Sequence, residues 1–107
     1  MRTEVQGYIR PDHPALAGHF PGNPVVPGVV LLTEILMAVE RSTEWALHDF
    51  QLNSVKFTAP LRPGDPFTIV LESPSTRQLS FAVTRGNTRI AWGTLQHSSD
   101  HAKQDIL

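Results

Sequence analysis

Between Pro11 and Gly28 the chain carries five prolines, three glycines and two histidines in eighteen residues, and it then runs straight into the apolar stretch Val29 to Val39, interrupted only by Thr33 and Glu34. Proline fixes φ and has no N–H to give, so a segment this rich in Pro and Gly forms neither regular helix nor central strand. It is a loop. Loops longer than about 12–15 residues are uncommon in a compact domain and are usually functional or disordered. Leu16, Phe20, Val25 and Val26 give this one apolar anchors, which favours order and therefore function. Pro27 and Gly28 lead into a segment of helical length, Val29 to about Leu47, with the charges Glu40, Arg41 and Glu44 confined to its far end. Its first three turns are apolar nearly all round, so the helix is expected to be buried on every side, by sheet or by a partner chain.

The remaining segments read as strands. Val5, Tyr8 and Ile9 place a short strand at residues 4–9, with Gly7 as a candidate bulge, ended by Pro11. Phe50 to Ala59 alternates through Leu52, Val55 and Phe57, and Pro60 closes it. Pro63-Gly64-Asp65 is a turn, and Phe67, Ile69 and Leu71 then alternate as a strand up to a second turn at Pro74 to Thr76. Leu79, Phe81 and Val83 form the next strand, Gly86-Asn87 a hairpin turn, and Ile90, Trp92 and Thr94 to Leu95 the last. The expectation is an α+β architecture, one antiparallel sheet wrapped around one central helix, spanning residues 1–97, with a polar tail at residues 98–107.

Composition narrows the function. The formal net charge is −1 with no basic run, against the clustered Lys and Arg that nucleic-acid binding requires. With no cysteine there is no disulfide framework, thiolate nucleophile or Cys-based metal site, which fits a cytoplasmic protein. Met1 to Arg10 lacks the charged and then apolar segments of a secretory signal. The apolar run at Val29 falls short of the roughly 20 residues that cross a bilayer. A protein bound to neither membrane nor nucleic acid is expected.

The run Gly18-His19-Phe20-Pro21-Gly22-Asn23-Pro24-Val25-Val26-Pro27-Gly28-Val29 resembles the loop of the bacterial 3-hydroxyacyl-(acyl carrier protein) dehydratases, which reads HFPG, then xP, then PG, before the helix. Val55-Lys56-Phe57, Pro60 and Pro63-Gly64-Asp65 resemble that family's strand and PGD turn, so the similarity covers nearly the whole chain. The short N-terminus is more like the compact accessory members. The resemblance implies a hotdog fold, a homodimer with two acyl tunnels at the subunit interface, and a thioester substrate carried by acyl carrier protein or CoA. It implies a hydro-lyase needing no metal or other cofactor, in which a histidine removes the C2 proton and a carboxylic acid from the other subunit's helix handles the 3-hydroxyl. By position, His19 is that histidine. Gly28 matches the glycine whose N–H holds the thioester carbonyl, and Phe20, Val29, Thr33 and Met37 are the further substrate-binding positions.

Elementary chemistry supports both roles. A glycine at a helix start lets substrate approach unpaired N–H groups and the positive end of the macrodipole, which stabilise an enolate oxygen. An imidazole with an ordinary pKa of about 6.5 is available as a general base at neutral pH. A lone histidine in a Pro-rich loop can equally be a turn-stabilising hydrogen-bond partner.

One position departs from the pattern. The family's acid falls fourteen residues after the histidine, where this chain has Thr33, and the next residue is Glu34. One residue is about 100° around a helix, so Glu34 is out of register with the acid's place. The family's Gln one turn later is here Met37. Two roles are open to Glu34: a displaced catalytic acid, with burial among Val30, Leu31 and Ala38 suited to proton donation, or a structural ion pair with a group such as Arg41. Two other functions also stay open, an acyl thioesterase of the same fold, and a non-catalytic acyl-binding or heterodimeric subunit that takes its acid from a second hotdog chain.

Other residues take ordinary roles. His97 and His101 have the i, i+4 spacing of a metal pair but sit in polar sequence, where they are expected to be solvated, and His13 and His48 show no partner, so no metal is expected. Phe57, Phe67, Phe81 and Trp92 are most simply sheet-core residues, with the lining of an acyl tunnel as the alternative for one or two of them. Arg62, Arg77, Arg85 and Arg89 are expected to be solvated, with a docking patch for an acidic carrier protein as their one alternative use.

Overall fold

A computed structural model of the chain describes residues 2–16, 25–75 and 77–97, apart from the side chains of residues 15 and 47. The polar tail at 98–107 lies outside the described residues. Strand β1 (Arg2–Gly7) is followed by a single 3-10 turn at Pro14–Leu16, helix α1 (Gly28–Ser42), a second 3-10 turn at Leu47–Asp49, and strands β2 (Phe50–Phe57), β3 (Phe67–Glu72), β4 (Gln78–Arg85) and β5 (Thr88–His97). The five strands form one sheet in the order β1-β3-β4-β5-β2, every pairing antiparallel. Among the described residues no helix is long and apolar enough to cross a membrane.

Alternation builds the inner face of the sheet. Phe67, Ile69 and Leu71 on β3 and Leu79, Phe81 and Val83 on β4 are all buried, at 2% exposure or less. Helix α1 lays Val30, Leu31, Ile35, Ala38 and Val39 against them. Each of the larger side chains contributes about 1.5–3 kcal/mol by leaving water. The turns follow their residues. In Arg62–Asp65 the Asp65 N–H donates to the Arg62 carbonyl at 3.1 Å with Gly64 at φ +90°, the geometry of a type II turn with Pro at its second position and Gly at its third. Gly86 opens the β4–β5 hairpin at φ +58°.

Several expectations need correction. Helix α1 stops at Ser42 rather than near Leu47. Thr43 closes it by taking an extended conformation, its N–H and hydroxyl both donating to the Val39 carbonyl (3.0 and 2.7 Å) while its hydroxyl accepts the Trp45 N–H at 3.0 Å. A local hydrogen-bonding alternative ended a segment that apolar content alone would have prolonged. Gly7 is not a bulge, because β1 runs in unbroken register with β3; a Cβ there would sit 2.2 Å from the Phe67 ring, so the glycine admits that ring.

Trp92 is not a core residue. The β4 pairing passes from Val83↔Ala91 to Thr84↔Arg89, leaving Ile90 as the extra residue of a bulge, so Ile90 and Ala91 are both buried and the inward phase shifts by one. Trp92 therefore points to the outer face, between Lys56 Nζ at 5.5 Å and Arg89 Cζ at 5.0 Å from its ring centroid. Nor is His97 solvated: it ends β5 and packs edge-on against Trp45, ring centroids 5.1 Å apart.

Helix α1 is not covered on every side within one chain. Val29, 71% exposed, and Thr33 are open, while Leu32, Leu36 and Met37 on the same stripe are half-buried. Strand β2 forms one edge of the sheet and is mostly exposed, with Leu52 at 40%.

Candidate functional site

The loop that carries the motif enters α1 through Val25, Val26 and Pro27. The Val26 N–H donates to the Leu61 carbonyl at 2.7 Å, fastening the chain beside the segment between β2 and β3 just before the helix starts. Pro27 is the residue that precedes the first turn, and proline has no side-chain oxygen with which to cap it. The first turn contains no acidic residue either, so the positive end of the helix is not compensated by its own sequence. The carbonyl of Pro27 accepts from Val30 and Leu31, and among the described residues the N–H of Gly28 has no acceptor, as is usual for the first residues of a helix.

Gly28 lines an apolar cleft of about 340 Å³ together with Val25, Val26, Leu31, Ile90 and the run Phe57 to Leu61. The Phe57 ring lies over the glycine, and a Cβ on Gly28 would come within 3.0 Å of Phe57 Cζ. Phe57 is 46% exposed, so of the two roles open to it, core and cleft lining, it takes the second. Thr58 fixes that wall: its hydroxyl donates to the carbonyls of Arg89 and Ile90 at 3.0 and 3.3 Å. An apolar slot that ends at unpaired backbone N–H groups can hold an acyl chain with its carbonyl at the helix start.

Of the expected site positions, the structure brings Gly28 to this cleft. Val29, Thr33 and Met37 lie on the open stripe of α1 instead, away from the cleft-lining Leu31. Thr33 directs its hydroxyl back along the helix to the Val29 carbonyl at 2.9 Å. Glu34 is half-buried at the border between the packed and open faces, and among the described residues its side chain has neither a hydrogen bond nor an ion pair, with Arg41 or any other group. His19 and Phe20 lie outside the described residues. Sequence reasoning missed Leu31, Leu61 and Ile90 as lining residues. Apolar residues that line a slot and those that fill a core look alike in a sequence.

The family model for ApeI-like proteins, described as ApeI dehydratase, matches residues 1–94. The chain belongs to this family. The 3-hydroxyacyl-(acyl-carrier-protein) dehydratase FabZ of Aliarcobacter butzleri is 30% identical over 79 residues, covering 61% of this chain and 54% of that protein. The chain spans about half the length of the curated relatives it matches. Among solved structures, the dehydratase heterocomplex ApeI:P from Xenorhabdus doucetiae superposes with a TM-score of 0.73 at 22% identity, over 89% of this chain and 85% of that one. Slr0204, a 1,4-dihydroxy-2-naphthoyl-CoA thioesterase from Synechocystis, superposes with a TM-score of 0.59 at 18% identity, over 91% of this chain and 76% of that one. The fold of this ApeI-like chain is the hotdog fold, one helix held against a five-stranded antiparallel sheet.

Proposed function

We propose that this chain is a hydro-lyase that removes water from a 3-hydroxyacyl thioester, on acyl carrier protein or CoA, to give the trans-2-enoyl thioester. The observation that carries the reading is the uncapped start of α1, where Gly28, near the end of the His19 motif, meets an apolar cleft. His19 takes the C2 proton as general base, and the electron pair moves toward the thioester carbonyl, where the Gly28 N–H and the helix terminus stabilise the charge. Collapse of that enolate forms the C2–C3 double bond and expels the 3-hydroxyl, which leaves as water once an acid protonates it. Phe20, Val29, Thr33 and Met37 remain the further substrate-binding positions of this reading. A carrier-bound substrate goes with a cytoplasmic setting and with residues 1–97 acting as one unit.

The source of the acid ties function to assembly. The open stripe of α1 and the free edge of β2 suit a second chain, since a bare strand edge and an apolar helix face are both stabilised by cover. In a homodimer the acid is Glu34. A second reading, a heterodimer whose other chain supplies the acid, is favoured by Thr33, whose hydroxyl proton is committed to its own helix; the Xenorhabdus doucetiae neighbour is itself a heterocomplex.

An assay of the purified chain on 3-hydroxyacyl thioesters of several lengths tests the proposal, with enoyl product and free thiol followed separately. Enoyl product supports dehydration, and thiol release alone overturns it in favour of a thioesterase. If Glu34 is the acid, Glu34→Gln lowers turnover about 10²-fold or more. If the acid comes from another chain, Glu34→Gln leaves activity unchanged, the chain alone is nearly inactive, and Thr33→Asp raises its activity.

A further inference from the structure

The segment from Thr58 to Asp65 does more than line the cleft. It holds the approach to α1 through the Val26 N–H on the Leu61 carbonyl, and it holds the segment just after β1 through the Gly64 N–H on the Ile9 carbonyl at 2.9 Å. Its own position is fixed from the far side of the hairpin. Arg85, at the end of β4, donates from Nη1 to the Pro60 carbonyl at 2.9 Å and reaches Asp65 Oδ2 at 3.4 Å. Both side chains of this ion pair are only about one-third exposed, at 35% and 37%, so solvent screens it less than a fully exposed pair. β5 holds the start of the strap at Thr58, and the Arg85 guanidinium clamps the rest of it, from Pro60 to Asp65, beside the cleft residues Pro60 and Leu61.

From this geometry we infer that Arg85 is a positioning residue for the dehydration: it sets the Thr58–Asp65 strap, which in turn sets Val26 and the helix start at Gly28. The inference rests on the function proposed above for its kinetic consequence, but its structural half stands alone. Displacing reacting groups by a fraction of an ångström is enough to slow a reaction, because the enzyme depends on a near-attack arrangement. From the sequence, Arg85 is expected in solvent or in a docking patch. Its two acceptors, a proline carbonyl and the aspartate of the PGD turn, show a different use.

The test compares Arg85→Met, which keeps the apolar stem and removes every donor, with Arg85→Lys and Asp65→Asn in the full chain. Two quantities are measured: amide hydrogen exchange at Val26 and Gly64, and kcat and KM on a 3-hydroxyacyl thioester that the parent dehydrates. In Arg85→Met, exchange at Val26 and Gly64 is expected to quicken by about tenfold while Leu71 and Phe81 in the sheet keep their protection. The same variant is expected to lose about tenfold in kcat with KM within twofold, and Arg85→Lys, which retains one donor for the Pro60 carbonyl, to recover part of that loss. Unchanged exchange at Val26 and Gly64, or a uniform loss of protection throughout the sheet, overturns the inference. Should Arg85→Met fail to fold, Asp65→Asn and Arg85→Lys are read by the same criterion. If the parent dehydrates no thioester, the functional reading fails while the exchange result still decides whether Arg85 holds the strap.

Discussion

The two ends of α1 are built on opposite principles. At the C-terminal end, Thr43 satisfies the last turn twice over, Arg41 sits where a positive charge opposes the negative end of the dipole, and Trp45 folds back to pack between Phe50 and His97, with ring centroids 5.9 and 5.1 Å away. At the N-terminal end, Pro27 offers no cap, no acidic residue follows, and an apolar cleft stands over Gly28. The closed end contributes stability. The open end leaves N–H groups and a partial positive charge available to a ligand, and a more stable local structure there would remove the chemistry it can perform.

Substitutions at the two ends should therefore separate activity from stability. His19→Ala is expected to have the largest effect, a loss of about 10²- to 10⁴-fold in dehydration, with a circular-dichroism spectrum and melting temperature close to the parent's. Activity within a few-fold of the parent would show that the open end does not use this imidazole. Trp45→Ala should do the reverse. It is expected to cost about 2–3 kcal/mol in chemical denaturation, less than a fully buried aromatic because the ring is only partly covered, and to leave kcat per folded molecule unchanged. A large fall in kcat at full folding would break the division between the ends.

Gly28→Ala sharpens the comparison on a smaller scale. The added methyl comes to 3.0 Å from the Phe57 ring, which must give by a few tenths of an ångström and narrow the cleft at the helix start. Turnover is expected to fall about tenfold, roughly 1.4 kcal/mol in activation free energy. Stability should change by less than about 1 kcal/mol, because alanine is the better helix former. A variant with normal kinetics would mean that substrate does not approach the helix through this glycine.

The α+β order of elements, the inner-face residues of β3 and β4, and both glycine turns could be read from the sequence, because alternation and turn chemistry are local properties. So was the start of α1, where Pro27-Gly28 mark a boundary that proline itself imposes. Of the motif, the structure places Gly28 at the cleft, while His19 lies outside the described residues. Assigning Val29, Thr33 and Met37 to substrate required knowledge of which helix face meets the cleft. In the single chain that face carries Leu31, and the stripe of Val29, Thr33 and Met37 is left open.

What the sequence determined by itself is the set of constraints that act within a few residues: where proline forbids helix, where glycine permits a turn, and which strands alternate. Tertiary structure decided the rest. The Ile90 bulge sent Trp92 outward, because the phase of an alternating strand depends on its register with a neighbour and one extra residue inverts it. Phe57 became a cleft wall rather than core because it lies on the edge strand, opposite a glycine that has no side chain to cover it. Arg85 was tied to Pro60 and Asp65, residues 25 and 20 positions away in the chain, by the return of the β4–β5 hairpin over the strap. Such contacts depend on how far apart residues lie in space, and separation along the chain does not fix that distance until the sheet has formed.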